Sequence, residues 1–153
     1  LSDKNVRLKI VGEGPERNEL EDLAKQDNRI EFTGYLSGNE LRNAIRNAKA
    51  TILPSLCYEN APISILEAFA YGKPVIGARI GGIPEMIDDG VNGMIFESGN
   101  IEDLTKKMGA FFGKTKNEIV NMGKAAREMI EQNFGAEAHY RQLLALYSKT
   151  ISN

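Results

Sequence analysis

Two glutamates separated by seven residues, Glu59 and Glu67, have the spacing best suited to chemistry in this sequence. A carboxylate accepts hydrogen bonds from hydroxyl groups, so each residue suits the adjacent hydroxyls of a sugar or a ribose. A pair of carboxylates is also the acid and base of a glycoside hydrolase. Solvated surface positions would explain both residues as well, and the spacing alone leaves these three interpretations open.

The hydrolase interpretation is disfavoured by distance. Eight residue steps of helix span about 12 Å at 1.5 Å per residue, whereas the two carboxyl groups of a glycoside hydrolase lie roughly 5 to 9.5 Å apart. Pro62 is typical of the first turn of a helix, so Glu59 falls in the preceding loop and Glu67 more than a turn inside the helix. Because the loop conformation is open, the hydrolase is not excluded.

The predicted helix from Pro62 to Tyr71 also offers an anion site at its start. Backbone amides in the first turn lack intrahelical acceptors, and the helix dipole favours negative charge there. Pro62 itself has no N–H to donate. The amides expected to be available are those of Ala61, Ile63, Ser64 and Ile65.

Strand and helix patterns alternate along the first two thirds of the chain. Apolar runs predict strands at 6–11, 30–33, 50–53, 74–78 and 93–96. Helices are predicted at 16–25, 37–48 and 62–71, with a short one from about 81 to 89, and a helical tail at 101–112, 116–134 and 137–151. This order predicts an α/β fold: a Rossmann-like parallel sheet of about five strands with helices on both faces, in a single domain over residues 1–153.

Four loops follow the predicted strands, and ligands of open parallel sheets bind at that edge. They are 12–15, 34–37, 55–61 and 79–84. The glycines in three of them fit either a close backbone approach to a ligand or a simple turn. The first loop resembles the start of a dinucleotide fingerprint, but its third glycine would fall at Arg17, so the signal for a nicotinamide cofactor is weak.

Composition narrows the remaining classes of function. The net charge is -2, which argues against nucleic-acid binding, and apolar and charged fractions of 42% and 26% are those of an ordinary globular protein. Neither a signal peptide nor a long apolar run is present, which predicts a cytoplasmic protein. The single cysteine, Cys57, suggests a reducing compartment and is expected to be a small buried apolar residue.

The sequence contains no motif typical of a metal site or of a catalytic nucleophile. No Asp-x-Asp occurs, and the one histidine, His139, lies in a predicted helix without other histidines or cysteines. A nucleophile elbow of the form G-x-S-x-G is also absent. We therefore expect no metal and no cofactor, with His139 structural or facing solvent.

Several motifs together resemble a known family. Glu59-x7-Glu67, combined with VGEGPE, EAFAYGKPVIG and GGIPEMIDDGVNG, is similar to the C-terminal, donor-binding domain of family 4 retaining glycosyltransferases of the GT-B fold. The four motifs occur in the right order over about residues 6–100, and the helical tail fits as well.

The resemblance implies a role for each matching position. Glu67 would bind the ribose hydroxyls of a UDP- or GDP-sugar, and Glu59, the candidate catalytic residue, would contact the transferred sugar. Sugar and diphosphate would be held by the segment from Asn60 to Ser64, and the nucleotide and its base by Gly12, Gly34, Tyr35 and Leu36. Such enzymes need no divalent metal.

The resemblance also implies a larger parent protein. Family members carry an Arg and a Lys for the diphosphate in a segment that would precede Val6, so the chain is expected to be an N-terminally truncated donor domain that is inactive alone. Its parent would transfer a hexose to a glycan or glycolipid acceptor bound by an N-terminal domain, in the cytoplasm, with possible contact to the inner membrane face. Another GT-B enzyme, such as a nucleotide-sugar epimerase or sucrose-type synthase, and a non-catalytic partner subunit remain alternatives.

Overall fold

The computed structural model describes residues 6–25 and 27–151. Its strands are β1 (Leu8–Val11), β2 (Ile30–Gly34), β3 (Thr51–Leu53), β4 (Val75–Arg79) and β5 (Gly93–Glu97). Its helices are α1 (Arg17–Ala24), α2 (Gly38–Asn47), α3 (Ile63–Ala70), α4 (Ile83–Met86), α5 (Ile101–Phe112), α6 (Lys116–Asn133) and α7 (Ala136–Ile151). The predicted α/β class is confirmed, and the predicted elements are present with ends shifted by a few residues.

Hydrogen bonding divides the five parallel strands between two sheets. β1 pairs with β2, and a three-stranded sheet has the order β3-β4-β5. The structure thus differs from the prediction of one sheet. An apolar run indicates a strand, but contacts between distant residues decide which strands pair. The described residues form two compact units, the first ending at Asn47 and the second beginning at Ala48.

The first unit is a βαβα arrangement without a closed interior. Strands β1 and β2 run parallel in register from Leu8 opposite Ile30, and the hydroxyl of Thr33 donates to the Ile10 carbonyl oxygen at 3.2 Å. Neither α1 nor α2 contains a buried residue. Leu23 on α1 is 79% exposed. The apolar side chains of this unit are therefore only partly removed from water.

The second unit has a core on each face of β4. Alternate side chains of a strand point to opposite faces, and Val75 and Ile76 belong to two different clusters. The cluster around Val75 is completed by α3 and α4 and includes Phe69, which is fully buried. The cluster around Ile76 is completed by α5 and includes Phe111. Helices thus cover both faces of this sheet, as predicted.

The C-terminus of α3 is closed by a glycine motif that fixes where the next strand begins. Gly72 has φ +62°, and its amide donates to the Phe69 carbonyl oxygen at 2.8 Å. The Lys73 amide donates to the Ala68 carbonyl oxygen at 2.9 Å. This pair of hydrogen bonds is a Schellman motif, which requires a residue that tolerates positive φ. Gly72 therefore ends the helix, as the sequence predicted.

Strand β5 lies at the edge of its sheet and has carboxylates against its outer amides. The Ile95 amide donates to Asp89 Oδ1 at 2.9 Å, and the Glu97 amide donates to Asp103 Oδ2 at 2.8 Å. Asp89 also pairs with Lys107 at 2.9 Å. Burial raises the pKa of Asp89, but the hydrogen bonds from Lys107 and Ile95 outweigh it, so this pKa lies below its ordinary value.

The C-terminal helices complete the second unit. A capping box formed by Thr115 and Glu118 begins α6. Apolar side chains on α7, at Tyr140, Leu143, Leu144 and Tyr147, are 40 to 58% exposed. Among the described residues, no helix is both long enough and apolar enough to span a membrane.

Candidate functional site

Glu59 lies in the loop between β3 and α3, where the second unit fixes both its side chain and its backbone. The Ser55 hydroxyl donates to Glu59 Oε1 at 3.0 Å. The Gly82 amide, in the loop between β4 and α4, donates to the Glu59 carbonyl oxygen at 2.7 Å. Glu59 is half-buried. Its carboxylate is therefore held in a partly desolvated position at the carboxyl end of the sheet.

Two glycines allow the β4–α4 loop to approach Glu59 this closely. A Cβ atom added at Gly82 would lie 1.8 Å from the Asn60 carbonyl oxygen, and one added at Gly81 would lie 2.5 Å from the Glu59 carbonyl oxygen. Gly81 also has φ +55°. A side chain at either position would push the loop carrying Glu59 away, because such distances are far below van der Waals contact.

A third loop supports the same segment from the far side of the sheet. Ser98, just after β5, donates its hydroxyl to the Ser55 carbonyl oxygen at 2.9 Å. The loops following β3, β4 and β5 are thus hydrogen-bonded to one another around Glu59. Such a cluster at the carboxyl ends of parallel strands is where a ligand of this fold class is expected.

At the start of α3, one backbone amide that was predicted to be available to a ligand is already hydrogen-bonded. Pro62 is the N-cap rather than the first helical residue, with φ -62° and ψ 119°, and it is buried. The Ile65 amide donates to the Pro62 carbonyl oxygen at 3.0 Å. The prediction that this amide is available to an anion is therefore wrong, because the first turn closes on it. Ile63 and Ser64 are exposed at the helix start.

Glu67 is exposed in the second turn of α3. Residues three and four apart share a helix face, so Glu67 lies on the same side as Ser64 and Ile63. The structure therefore presents Glu67 and the predicted helix-start residues on one accessible surface. Asn60 and Ala61, in the loop just before Pro62, are exposed as well.

The remaining predicted site residues belong to the first unit, where two glycines meet. The Gly12 amide donates to the Gly34 carbonyl oxygen at 2.8 Å, joining the ends of β1 and β2. Both glycines have positive φ, 131° and 72°. After Gly34, Tyr35 is exposed and Leu36 is half-buried. Gly12, Gly34, Tyr35 and Leu36 thus lie at the carboxyl end of the first unit's strands.

Arg17, which interrupts the dinucleotide fingerprint, is tied to two acids. It hydrogen-bonds Glu13 in the preceding loop, and its Nε donates to Glu21 at 2.8 Å one turn further along α1. These bonds, the one to Glu13 first, raise the pKa of Arg17 above its usual range. Glu13 Oε1 would also lie 2.8 Å from a Cβ added at Gly34. Arg17 therefore contributes to the loop structure of the first unit.

The expectation that Cys57 is buried is wrong, because its side chain is exposed. Cys57 belongs to a tight turn in which its amide donates to Ser55 Oγ at 3.3 Å. This turn keeps the backbone of the loop at the surface. An apolar residue type in a single sequence does not reveal such a turn.

Three further features bear on the predicted chemistry. Within residues 6–25 and 27–151, no group of three or more His, Cys, Asp or Glu side chains could hold a metal ion. His139 lies on α7 and faces solvent, as expected. An open cavity of ≈ 500 Å³ lies between α4 and α6, and none of its lining residues is a predicted site residue.

Comparison with known proteins identifies the family. The model of the family "Glycosyl transferases group 1" matches residues 1–113. The chain belongs to the glycosyl transferase group 1 family. This membership confirms that the motifs are those of a glycosyltransferase, and the assignment to family 4 stays a prediction.

Relatives and solved structures show how much of a group 1 glycosyltransferase this chain represents. It is 37% identical to the sulfoquinovosyl transferase SQD2 of Arabidopsis thaliana over 131 residues, which is 83% of this chain and 25% of that protein. It is 28% identical to the putative colanic acid biosynthesis glycosyltransferase WcaL of Escherichia coli over 92% of this chain and 36% of that protein. The chain therefore spans about a quarter to just over a third of these relatives.

The fold is shared with HepE of Anabaena, whose crystal structure is a complex with UDP. The TM-score is 0.78 at 23% identity, over 94% of this chain and 41% of that one. At this identity the likeness establishes the fold alone. The α/β architecture predicted from the sequence is thus shared with part of HepE.

Four residues that sequence reasoning left out of the site surround Glu59. Gly81 and Gly82 lie within a quoted motif, but only the structure shows that they touch the Glu59 loop. Ser55 and Ser98 hold that loop through hydrogen bonds. A polar residue two positions after an apolar strand and four positions before Glu59 is the signal that could have indicated Ser55.

Proposed function

We propose that this chain binds the nucleoside-diphosphate-sugar donor of a retaining family 4 glycosyltransferase with the GT-B fold. The observation that carries the proposal is the loop-helix junction. In a chain of the glycosyl transferase group 1 family, one short segment presents a held carboxylate, Glu59, and an exposed one, Glu67, on either side of a helix start. The likeness to HepE, a protein solved with UDP, supports a nucleotide ligand.

The proposed donor extends along the loop-helix junction from Glu59 to Glu67. Glu67 accepts hydrogen bonds from the two ribose hydroxyls, and Glu59 contacts hydroxyls of the transferred sugar. Between them, the segment from Asn60 to Ser64 holds the sugar and the diphosphate. The start of α3 stabilises the negative charge that grows on the departing diphosphate, because the dipole of a helix is positive at that end.

Within the first unit, the proposal also assigns nucleotide-binding residues. Gly12, with no side chain, admits the nucleotide to the backbone, and the segment Gly34 to Leu36 lies beside the base. No divalent metal takes part in the proposed reaction. The acceptor, a glycan or glycolipid, binds another domain of the full-length protein, which acts in the cytoplasm or at the inner face of the membrane.

The donor assignment is tested by thermal shift of the full-length protein with UDP-, GDP- and ADP-sugars. A ligand that binds only the folded state raises the unfolding temperature, so one nucleotide class should raise it more than the others. A protein that responds to none of the three would contradict the proposed function. The 153-residue chain assayed alone should show no sugar transfer.

Substitution of the two glutamates tests their separate roles in the full-length enzyme. Glu67→Ala should weaken nucleotide affinity about tenfold, the effect of losing roughly 1.4 kcal/mol of hydrogen bonding. Glu59→Ala should lower the rate far more than nucleotide affinity, because its partner is the transferred sugar. Glu128→Ala is the matched control, since Glu128 is an exposed helical glutamate on α6. The reverse pattern, with affinity lost at Glu59 and rate at Glu67, would exchange the two assignments.

A further inference from the structure

The orientation of the Glu59 carboxylate depends on a hydroxyl that the motifs do not assign. Ser55 Oγ lies 3.0 Å from Glu59 Oε1 and 3.1 Å from the Cys57 carbonyl oxygen. A serine hydroxyl has one proton, so it donates to only one of them at a time. An ionised carboxylate is the stronger acceptor, which directs the proton to Glu59.

The Ser55 hydroxyl is itself fixed by its neighbours. The Cys57 amide donates to Ser55 Oγ at 3.3 Å, occupying the oxygen from the other side. The Ser98 hydroxyl donates to the Ser55 carbonyl oxygen at 2.9 Å and links this residue to the loop after β5. The hydroxyl that meets Glu59 thus has both its own rotation and its backbone position restricted.

Glu59 is therefore held at two points before any ligand is bound. Its carbonyl oxygen accepts from the Gly82 amide at 2.7 Å, and its carboxylate accepts from Ser55. With Oε1 engaged by Ser55, the carboxylate has fewer accessible orientations. A group fixed in this way loses less conformational entropy when it meets a sugar hydroxyl.

We infer that Ser55 is a positioning residue that orients the Glu59 carboxylate towards the donor sugar, with Ser98 anchoring Ser55. This role rests on the proposed function, because it requires that Glu59 contact the sugar. It assigns Ser55 an effect on turnover and not on nucleotide binding, since the ribose and diphosphate contacts lie further along the chain.

The test uses the full-length protein and whichever of UDP-glucose, GDP-mannose and ADP-glucose gives the largest thermal shift. Turnover is measured as hydrolysis of that donor, and affinity as the Kd of the corresponding nucleoside diphosphate. Ser55→Ala should lower kcat about tenfold, the size expected for one charge-assisted hydrogen bond, with Kd unchanged within about twofold. Ser55→Thr, which keeps the hydroxyl, should restore most of the rate.

A double-mutant cycle separates positioning from a general loss of structure. Ser55→Ala should have a smaller effect in a Glu59→Gln background, because the neutral amide oxygen accepts a weaker hydrogen bond than the carboxylate does. Ser98→Ala should give a smaller loss of kcat than Ser55→Ala. Thr105→Ala is the matched control, since it deletes a hydroxyl that donates to a carbonyl oxygen at 2.8 Å within α5.

Each contrary result identifies which idea fails. If Glu59→Gln slows turnover but Ser55→Ala does not, or if the two effects are additive, the positioning role is overturned and the proposed function stands. An equal loss of kcat and nucleotide affinity in Ser55→Ala, without rescue by threonine, would show that Ser55 only closes the loop. If Glu59→Gln has no effect on a donor that is bound and hydrolysed, the role proposed for Glu59 itself is wrong.

Discussion

The candidate site residues of the two units lie beside helices that differ greatly in how many of their side chains are buried. In the second unit, Glu59 and Glu67 flank the start of a helix that contributes the fully buried Phe69 to a closed core. In the first unit, the ends of β1 and β2 bring Gly12 and Gly34 together, but neither α1 nor α2 contains a buried residue. The same order of strand, loop and helix therefore gives a closely packed core in the second unit and largely solvent-exposed helices in the first.

The difference shows that pattern and packing are separate properties. Both units have apolar strands and amphipathic helices, which is what the sequence pattern reports. The second unit packs helices on both faces of its sheet, whereas the described helices of the first unit, α1 and α2, bury no residue. Most of the stability of a domain comes from such burial. We therefore expect the Glu59 loop to be more rigid than the loops of the first unit.

The largest expected effect compares one apolar truncation in each unit. Phe69→Ala in the second unit should lower the free energy of unfolding by about 3–5 kcal/mol, because it leaves a cavity in a closed core. Leu23→Ala in the first unit should change it by less than about 0.5 kcal/mol, because that side chain is 79% exposed. Denaturant unfolding of the two variants measures both values. Equal losses would mean that the units do not differ in packing as described.

The second expected effect compares glycines in the loops of the two units. Gly82→Ala should lower the free energy of unfolding by about 1–3 kcal/mol and slow donor turnover, because the new methyl group would overlap the Asn60 carbonyl oxygen. Gly14→Ala in the first unit should change neither, since an added Cβ there meets nothing within 4 Å. Thermal unfolding and donor hydrolysis of both variants check the comparison. A Gly82→Ala enzyme with normal turnover would show that the Glu59 loop tolerates displacement.

The smallest expected effect is a pH dependence in the first unit. Arg29 donates to Asp27 through its side chain and its backbone amide, which lowers the pKa of Asp27 from 3.8 to about 2. A carboxyl group whose pKa is lower in the folded state adds stability above its unfolded pKa and loses it as the pH falls. The contribution should therefore be complete above pH 4 and disappear between pH 4 and 2.

An NMR titration of the Asp27 carboxyl carbon measures that pKa directly. Asp27→Asn should remove the corresponding acid dependence of stability, whereas Asp89 in the second unit, whose pKa is also lowered, should keep its own. An Asp27 that titrates near 3.8 in the folded protein would contradict the prediction.

The sequence predicted the elements and the α/β class because those depend on local signals. Apolar runs located the five strands, and Gly72 located the end of α3. Glu59, Glu67 and the helix start between them could be selected by spacing and residue type. Their placement in the loop and on an exposed helix face agrees with the structure, and their roles stay predictions.

What the sequence could not predict depends on contacts between distant residues. Gly82 reaches Glu59 from a different loop, and Ser98 reaches Ser55 from beyond β5. Two other features are local: the turn that exposes Cys57, and the hydrogen bond from the Ile65 amide to the Pro62 carbonyl oxygen. Both depend on backbone geometry that residue types do not specify. The division of the strands into two sheets likewise depends on tertiary packing.

The carboxylates of Asp89 and Asp103 along the outer side of β5 also affect how the protein behaves at high concentration. An edge strand with unpaired amides recruits strands from other molecules and so promotes aggregation. Here two of those amides already donate to side chains of the same chain and are not available to another strand. The β5 edge of this sheet is thereby protected against edge-to-edge association.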